Sequence, residues 1–398
     1  MLCSVGIFST VPVARNIQRF ISNTVGREFF TYSVLFFVGA GLALLLYVFI
    51  FKLRVKNVSQ YIWLFICAGL YVYFVLQLRR HPEEAIHFIE YGLLSYFLFR
   101  ALSQKIRDQT IYLTALLFVL FIGMIDEFLQ WMIPDRYWDF KDVGLNSLAG
   151  GIFLLAVWKS IRPEIIYGPV KKISVKMLAG IIAVDLILLG LCLSNTPGFV
   201  NRYTAAFNTL SWLRNEEPMT EYGYKYKDPE IGTFYSRFTL EKLREIDIAN
   251  SETYGEILLQ DISSDFMHKK FIRIYNPNTN PFLYEFMKHL YRREHKFYLL
   301  AKTDKPDRKI RMSSAAFREN LLIEKYFGNT LKHSGFVWPD EKAKDLEKTA
   351  SLWKGDYISK SGFKIITYFS LKEALLAILT ILIMVWISGR VWKRRFDI

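Results

Sequence analysis

Residues 122–151, IGMIDEFLQWMIPDRYWDFKDVGLNSLAGG, place strongly polar side chains inside runs that otherwise suit lipid-spanning helices. The side chains that interrupt the apolar runs are carboxylates and amides: Asp126, Glu127, Gln130, Asp142 and Asn146. An ionised carboxylate at membrane depth costs several kcal/mol unless it is paired, hydrated or protonated. The stretch therefore predicts two helices whose polar residues face the interior of a bundle or water, and the rest of the chain is arranged around it.

The composition indicates a multi-span membrane protein. Hydrophobic residues make up 52% and aromatic residues 16% of the 398 residues, and several charge-free runs approach or exceed the roughly 20 residues that a helix needs to cross a bilayer. A net charge of +14 would suggest nucleic acid as the partner of a soluble protein. In a membrane protein, Lys and Arg are expected beside the spans, so the expected partner is the lipid bilayer and not nucleic acid.

Seven apolar segments are predicted as spans: 29–51, 61–78, 85–102, 110–133, 143–158, 177–193 and 365–389. The predicted fold class is therefore an α-helical membrane bundle of about seven spans, with an inserted extracytoplasmic α+β soluble domain before the last span. The predicted domains are 1–199, a membrane domain of six helices with its core at 85–158; 200–364, the α+β domain; and 365–398, the last membrane helix with a basic tail.

The distribution of Lys and Arg predicts the orientation. Basic residues are concentrated in the loops after spans one, three and five and in the C-terminal tail, and the alternate loops hold fewer. The positive-inside rule then assigns the richer set to the cytoplasm. We expect a multi-pass protein of the plasma (inner) membrane with a cytoplasmic C-terminus and residues 200–364 on the extracytoplasmic side. Arg15, Arg19 and Arg27 oppose this orientation, because they would then lie outside.

Within residues 200–364, the local pattern predicts a mixture of strands and helices. Segments 270–275 and 296–301 are predicted as short strands, and segments 281–294, 313–327 and 339–352 as helices. Paired serines at 313 and 314 suit the start of the second helix. Tyr222, Tyr224 and Tyr226 alternate, which predicts one face of a strand. The histidines of this region, His268, His289, His295 and His333, fit no common zinc spacing and are predicted to lie on the surface. The region contains no cysteine, so it holds no disulfide or thiolate metal site.

The predicted third, fourth and fifth helices carry polar residues that would converge near the outer membrane face if these helices pack together. The candidate site residues are His87, Glu90, Asp126, Glu127, Gln130, Arg136, Asp142 and Asn146. Asp126 and Gln130 lie one turn apart, and Glu127 is rotated by about 100° from Asp126 toward a different neighbour. In the fifth helix, Gly144, Ser147 and Gly151 form one small-residue stripe, and Asn146 with Gly150 forms the next, a spacing that lets helices approach closely.

The sequence H-F-I-E-Y-G-L-L at 87–94, followed by D-E-F-L-Q, P-D-R, Asp142 and Asn146, resembles the VanZ-like family over residues 85–158. Two positions depart from the family pattern, because Glu84 stands where lysine is common and Ala149 where glycine is common, with Gly150 one residue later. The resemblance implies a cell-envelope setting and, through the protein for which the family is named, a link to low-level resistance to the glycopeptide teicoplanin. It implies no particular reaction.

Three interpretations of the candidate residues remain open. In the first, Arg136 binds a phosphate or pyrophosphate of a lipid-linked envelope precursor, while Asp126 or Glu127 acts as acid or base. In the second, Asp126, Glu127, Asp142 and His87 hold a hard divalent cation such as Mg²⁺ or Mn²⁺. In the third, which we prefer, the polar pairs join helices, and the protein is an accessory or scaffold factor that binds an envelope protein through its α+β domain. We assign no metal or cofactor.

Overall fold

The computed structural model describes residues 2–80, 82–133, 136–215, 218–219, 222–261, 271, 274–275, 280–360 and 365–396, some of them by their backbone alone. The chain divides into two compact units. Unit 1 comprises Met1–Met219 and Ala374–Ile398, and unit 2 comprises Thr220–Glu373. Unit 1 is helical, and unit 2 combines helices with a small sheet.

The helices of the first part of unit 1 are α1 (Leu2–Thr24), α2 (Glu28–Tyr47), α3 (Val58–Gln77), α4 (Ile86–Leu102), α5 (Thr110–Trp131), α6 (Phe140–Ala156), α7 (Lys172–Ser194) and α8 (Pro197–Ala206). A π-helical turn follows α2 at Val48–Lys52 and α6 at Val157–Ile161. Side chains that accept a hydrogen bond from a free backbone N–H fix the start of α3 (Asn57) and of α6 (Asp139).

Among the described residues, six helical segments are long and apolar enough to cross a membrane: Glu28–Lys52, Val58–Gln77, Thr110–Trp131, Phe140–Ile161, Lys172–Ser194 and Ser370–Ile387. Each corresponds to a predicted span. The remaining predicted span, 85–102, forms helix α4, but its 17 residues extend only about 26 Å at 1.5 Å per residue. That length is slightly less than the roughly 30 Å of a bilayer core, so a membrane span at 85–102 stays a prediction.

Helices α4, α5 and α6 pack closely around a buried core. Tyr91 of α4, Val119 of α5 and Ala149 of α6 are fully buried within it. Gly150 of α6 allows this approach, because a Cβ atom there would lie 2.5 Å from Ser95 Oγ and 2.9 Å from Val119 Cγ1. The close contact therefore needs glycine at this position.

The two small-residue stripes predicted on α6 differ in their surroundings. A Cβ atom at Gly144 would meet no atom within 4 Å, and one at Gly151 would make ordinary contact with Leu116 Cδ1 at 3.5 Å. The stripe that contains Asn146 and Gly150 therefore makes the tight helix contact.

Unit 2 contains β1 (Tyr222–Asp228), β2 (Gly232–Ser236), α9 (Leu240–Asp261), α10 (Pro281–Ala301), α11 (Pro306–Tyr326), α12 (Gly328–His333), α13 (Asp340–Ala350), β3 (Ile358–Ser359) and β4 (Ile366–Thr367). Helix α14 (Tyr368–Phe396) follows and belongs largely to unit 1. The strands form one sheet in the order β3-β2-β1-β4, in which β1 and β2 are antiparallel and the two short outer strands run parallel to their neighbours.

The turn between β1 and β2 is held by Asp228. Its Oδ1 accepts hydrogen bonds from the backbone N–H groups of Glu230 and Ile231, and its Oδ2 accepts from Lys325 Nζ at 2.7 Å and from the Tyr326 hydroxyl at 2.9 Å. Burial alone would raise the pKa of Asp228, but these donors outweigh burial and lower the pKa to about 2. The turn is thereby tied to helix α11.

Three local predictions for unit 2 are confirmed, and others are wrong. The tyrosines at 222, 224 and 226 lie in β1, the helix predicted at 281–294 lies within α10, and the one predicted at 339–352 is α13. The strand predicted at 296–301 is instead the last part of α10, because Phe297 and Leu300 pack at helical spacing against Ala316 and Trp338. The strand predicted at 270–275 lies mainly outside the described residues.

The helix predicted to begin at Ser313 begins earlier. Helix α11 starts at Pro306, whose missing N–H and fixed φ suit the first turn of a helix. Ser313 and Ser314 are therefore buried residues in the interior of α11 and do not cap it.

Candidate functional site

Helix α5 carries the centre of the polar cluster, which we define as the eight candidate residues named above. The side chains of Asp126, Glu127 and Gln130 are all buried. Gln130 Nε2 donates to Asp126 Oδ2 at 3.1 Å and to Glu127 Oε1 at 3.0 Å. The Tyr91 hydroxyl of α4 donates to Asp126 Oδ2 at 3.1 Å. The predicted meeting of the third and fourth helices therefore occurs at Asp126.

Residues 136–139, within the turn between α5 and α6, contact the end of α5. Arg136 Nη2 donates to Gln130 Oε1, and the backbone N–H of Asp139 donates to Glu127 Oε2 at 3.4 Å. The side chain of Asp139 accepts from the backbone N–H of Lys141 at 2.6 Å and so starts α6. Gln130 is consequently in contact with both carboxylates of α5 and with the guanidinium of the turn.

His87, Glu90 and Asp142 lie around this centre. His87 Nδ1 is 3.5 Å from Glu90 Oε2, one turn along α4, and His87 also interacts electrostatically with Asp126 and Asp142. Asp142, at the start of α6, interacts electrostatically with Glu127 as well. The structure thus brings residues of α4, α5 and α6 into one region.

Asn146 of α6 lies against α5. A Cβ atom at Gly123 would be 3.5 Å from Asn146 Cβ, and Asn146 is fully buried. Among the residues that the structure describes, neither atom of its amide has a hydrogen-bond partner, and Asp126 Oδ1 has none either. Buried polar atoms are nearly always hydrogen-bonded, so these atoms are suited to bind water or the polar group of a ligand.

One departure from the family pattern is matched by a contact in this chain. Glu84 Oε2 lies 3.0 Å from Lys141 Nζ at the start of α6. Position 84 therefore carries the carboxylate of an ion pair between the segment before α4 and the start of α6, where the family commonly has a cation.

Within the described ranges, no three His, Cys, Asp or Glu side chains are arranged to hold a metal ion. Tyr91 is a contributor that the sequence analysis did not include among the site residues, although its spacing of four from His87 places it on the same face of α4.

A second buried polar group, in unit 2, was missed altogether. Glu319 of α11 is fully buried and accepts hydrogen bonds from Arg292 at 3.1 Å, the Tyr357 hydroxyl at 2.5 Å and the Ser359 hydroxyl at 2.7 Å. His289 Nδ1 lies 2.8 Å from Glu319 Oε2. Burial alone would raise the pKa of Glu319, but His289, Arg292 and Tyr357 outweigh burial and lower the pKa.

The prediction that His289 lies on the surface is therefore wrong, because the side chain is 1% exposed and faces a carboxylate from another helix. His295 and His333 are exposed, as predicted. His268 lies outside the described residues. No local signal marks His289, since its partner is 30 residues away along the chain.

The long apolar helices define a multi-pass helical membrane protein. Residues 8–162 match the family described as VanZ/LLP1, which confirms the resemblance to the VanZ-like family over a segment of the chain. The match begins well before residue 85 and includes all eight candidate residues. A link to antibiotic resistance is consistent with the family name. No curated protein and no solved structure matches the chain.

Proposed function

We propose that this protein is an accessory or scaffold factor of the cell envelope. The VanZ-like segment anchors it in the plasma membrane, the polar cluster lies near the outer face, and unit 2 is extracytoplasmic, where it binds an envelope protein. The C-terminus is cytoplasmic. The excess of Lys and Arg in alternate loops supports this orientation through the positive-inside rule.

The observation that carries the proposal is the bridging role of Gln130. Its amide donates to Asp126 and Glu127 and accepts from Arg136. The guanidinium that is best suited to bind a phosphate is thus engaged by a neighbouring side chain. Hydrogen bonds between polar side chains inside a membrane contribute about 1 kcal/mol each to the association of helices. The hydrogen bonds of the cluster accordingly hold α4, α5 and the start of α6 together.

A second candidate function is a membrane enzyme or binding site for a lipid-linked phosphate or pyrophosphate. In that case Arg136 binds the anion, and Asp126 or Glu127 acts as acid, base or metal ligand. The observation that favours it is the pair of buried groups without partners among the described residues, Asp126 Oδ1 and the Asn146 amide. These atoms are suited to accept hydrogen bonds from a bound polar group or to donate hydrogen bonds to it.

Substitution of the two charged residues separates the candidates. Glu127→Gln keeps the size of the side chain, and Arg136→Ala removes the guanidinium. If the protein is a scaffold, each variant should change teicoplanin susceptibility by less than about twofold at unchanged protein level. The reason is that the new amide at position 127 would still bond to Gln130, and the loss of one such bond is worth only about 1 kcal/mol. The measurement is the inhibitory concentration of teicoplanin in cells whose resistance depends on this gene, and the amount of each variant is quantified by immunoblot.

A deletion strain provides the reference for full loss of function. If both variants behave like the deletion while the protein accumulates normally, the scaffold proposal is contradicted and the lipid-phosphate site is supported.

A further inference from the structure

A pocket of about 300 Å³ opens in unit 2 beside the buried Glu319. Four basic side chains line it: Arg292, Lys296, Arg311 and Lys360. The lining includes a single acidic residue, Asp356, and the aromatic rings of Trp353 and Tyr357. A concave surface with this excess of positive charge concentrates anions.

The cations of the pocket are poorly neutralised by the protein. Among the described residues, Lys296 and Lys360 make no hydrogen bond and no ion pair. Arg311 lies over the ring of Trp353, 5.5 Å from its centroid. These charges are consequently available to an anionic ligand.

Arg292 is held in place by the buried residues Glu319 and Ser359. Its Nη1 donates to Glu319 Oε1 at 3.1 Å and to Ser359 Oγ at 2.9 Å. Both bonds use one nitrogen, so Nη2 and Nε have no partner within the described part of the chain. A guanidinium fixed on one side and free on the other is preorganised for the paired hydrogen bonds that phosphate oxygens accept.

Ser314 supplies an independent indication of a ligand. Its side chain is 1% exposed and lines the pocket, and its hydroxyl has no hydrogen-bond partner among the described residues. A buried hydroxyl without a hydrogen-bond partner is unfavourable, so a ligand group that accepts a hydrogen bond from it would relieve this cost.

We propose that this pocket binds a phosphate or diphosphate group, with Arg292, Lys296 and Arg311 neutralising its charge and Ser314 donating to one of its oxygens. The pocket volume lies at the lower end of the range for ligand sites, which fits a phosphate with a small attached moiety. The group belongs either to a soluble phosphate ester or to a lipid headgroup. The site is separate from the polar cluster, and it does not depend on the proposed scaffold function.

The test is a calorimetric titration of inorganic pyrophosphate into the full-length protein in phosphatidylcholine nanodiscs. Lys296→Gln with Arg311→Gln should weaken binding by at least about tenfold, because each removes a charged donor to the ligand. The matched control is Lys242→Gln with Lys344→Gln, which removes two exposed charges from α9 and α13, helices that supply no residue to the pocket lining. We expect the control to change affinity by less than about twofold, since exposed charges at a distance are screened.

Ser314→Ala distinguishes a ligand contact from a structural role. Since the hydroxyl has no protein partner among the described residues, its removal should leave the melting temperature unchanged or raise it while weakening pyrophosphate binding by about threefold or more. Absence of pyrophosphate binding to the wild-type protein would overturn the proposal, and so would an equal loss of affinity in the pocket variant and in the control.

Nanodiscs that also contain phosphatidic acid identify the source of the phosphate. If the lipid competes and lowers the apparent affinity for pyrophosphate, and this competition needs Lys296 and Arg311, the ligand is a lipid headgroup. If the affinity is unchanged, the pocket takes a soluble phosphate. Both results support an anion site.

Discussion

Glu319→Ala is expected to destabilise unit 2 by about 3–5 kcal/mol, because it leaves a buried histidine, a partly buried arginine and two hydroxyls without their common acceptor. The carboxylate is fully buried and holds together α10, α11 and the segment around β3. The measurement is urea unfolding of the full-length protein in detergent, with limited proteolysis used to detect the unfolding of unit 2.

The matched control for this substitution is Glu324→Ala on the same helix. Glu324 is exposed and accepts one hydrogen bond, from Asn320, so the expected loss is less than about 1 kcal/mol. Equal losses in the two variants would mean that the buried network does not stabilise unit 2.

The same network predicts how stability depends on pH. Because the pKa of Glu319 is lowered in the folded protein, its contribution is fully present above the ordinary glutamate pKa of about 4.3. It is lost as the pH falls through the lowered folded value. Glu319→Gln should abolish this part of the acid destabilisation while keeping the size of the side chain.

Gly150→Leu has the second large expected effect, a loss of about 3 kcal/mol or more in the stability of unit 1. A Cβ atom alone would approach Ser95 Oγ to 2.5 Å and Val119 Cγ1 to 2.9 Å, so a leucine must force α6 away from α4 and α5. The consequence should be a lower melting temperature of the detergent-solubilised protein and less protein in the membrane.

Gly144→Leu on the same helix is the control, because a Cβ atom there meets nothing within 4 Å. It should change stability by less than about 0.5 kcal/mol. If the two leucines were equally harmful, the tight contact at Gly150 could not be what brings the three helices together.

The sequence predicts the long apolar helices well, because charge-free runs of membrane length have few alternatives to a helix. It does not predict α1 or α8, which are helical in the structure. The spacing of Asp126 and Gln130 also predicts their contact, since residues four apart share a helix face. The sequence pattern does not show which small-residue stripe of α6 makes the tight contact. The rotation of that helix depends on side chains of α4 and α5, and the local pattern contains no information about them.

In unit 2, local patterns fail where distant contacts decide the structure. Residues 296–301 have the composition of a strand, yet packing of Phe297 and Leu300 against Trp338 keeps them helical. The network around Glu319 joins residues from 289 to 359. No spacing rule connects side chains so far apart, so this network could be found only from the folded structure.

The side of the membrane on which the polar cluster lies is tested most directly by cysteine labelling in intact cells. Cys3, Cys67 and Cys192 are replaced by serine, and single cysteines are introduced as Lys141→Cys, beside the cluster, and Lys56→Cys, between α2 and α3; both lysines are exposed. A membrane-impermeant maleimide should label position 141 in intact cells and position 56 only after permeabilisation. Labelling of position 56 from outside, with position 141 protected until the cells are opened, would contradict an outer-face cluster and reverse the orientation of the chain.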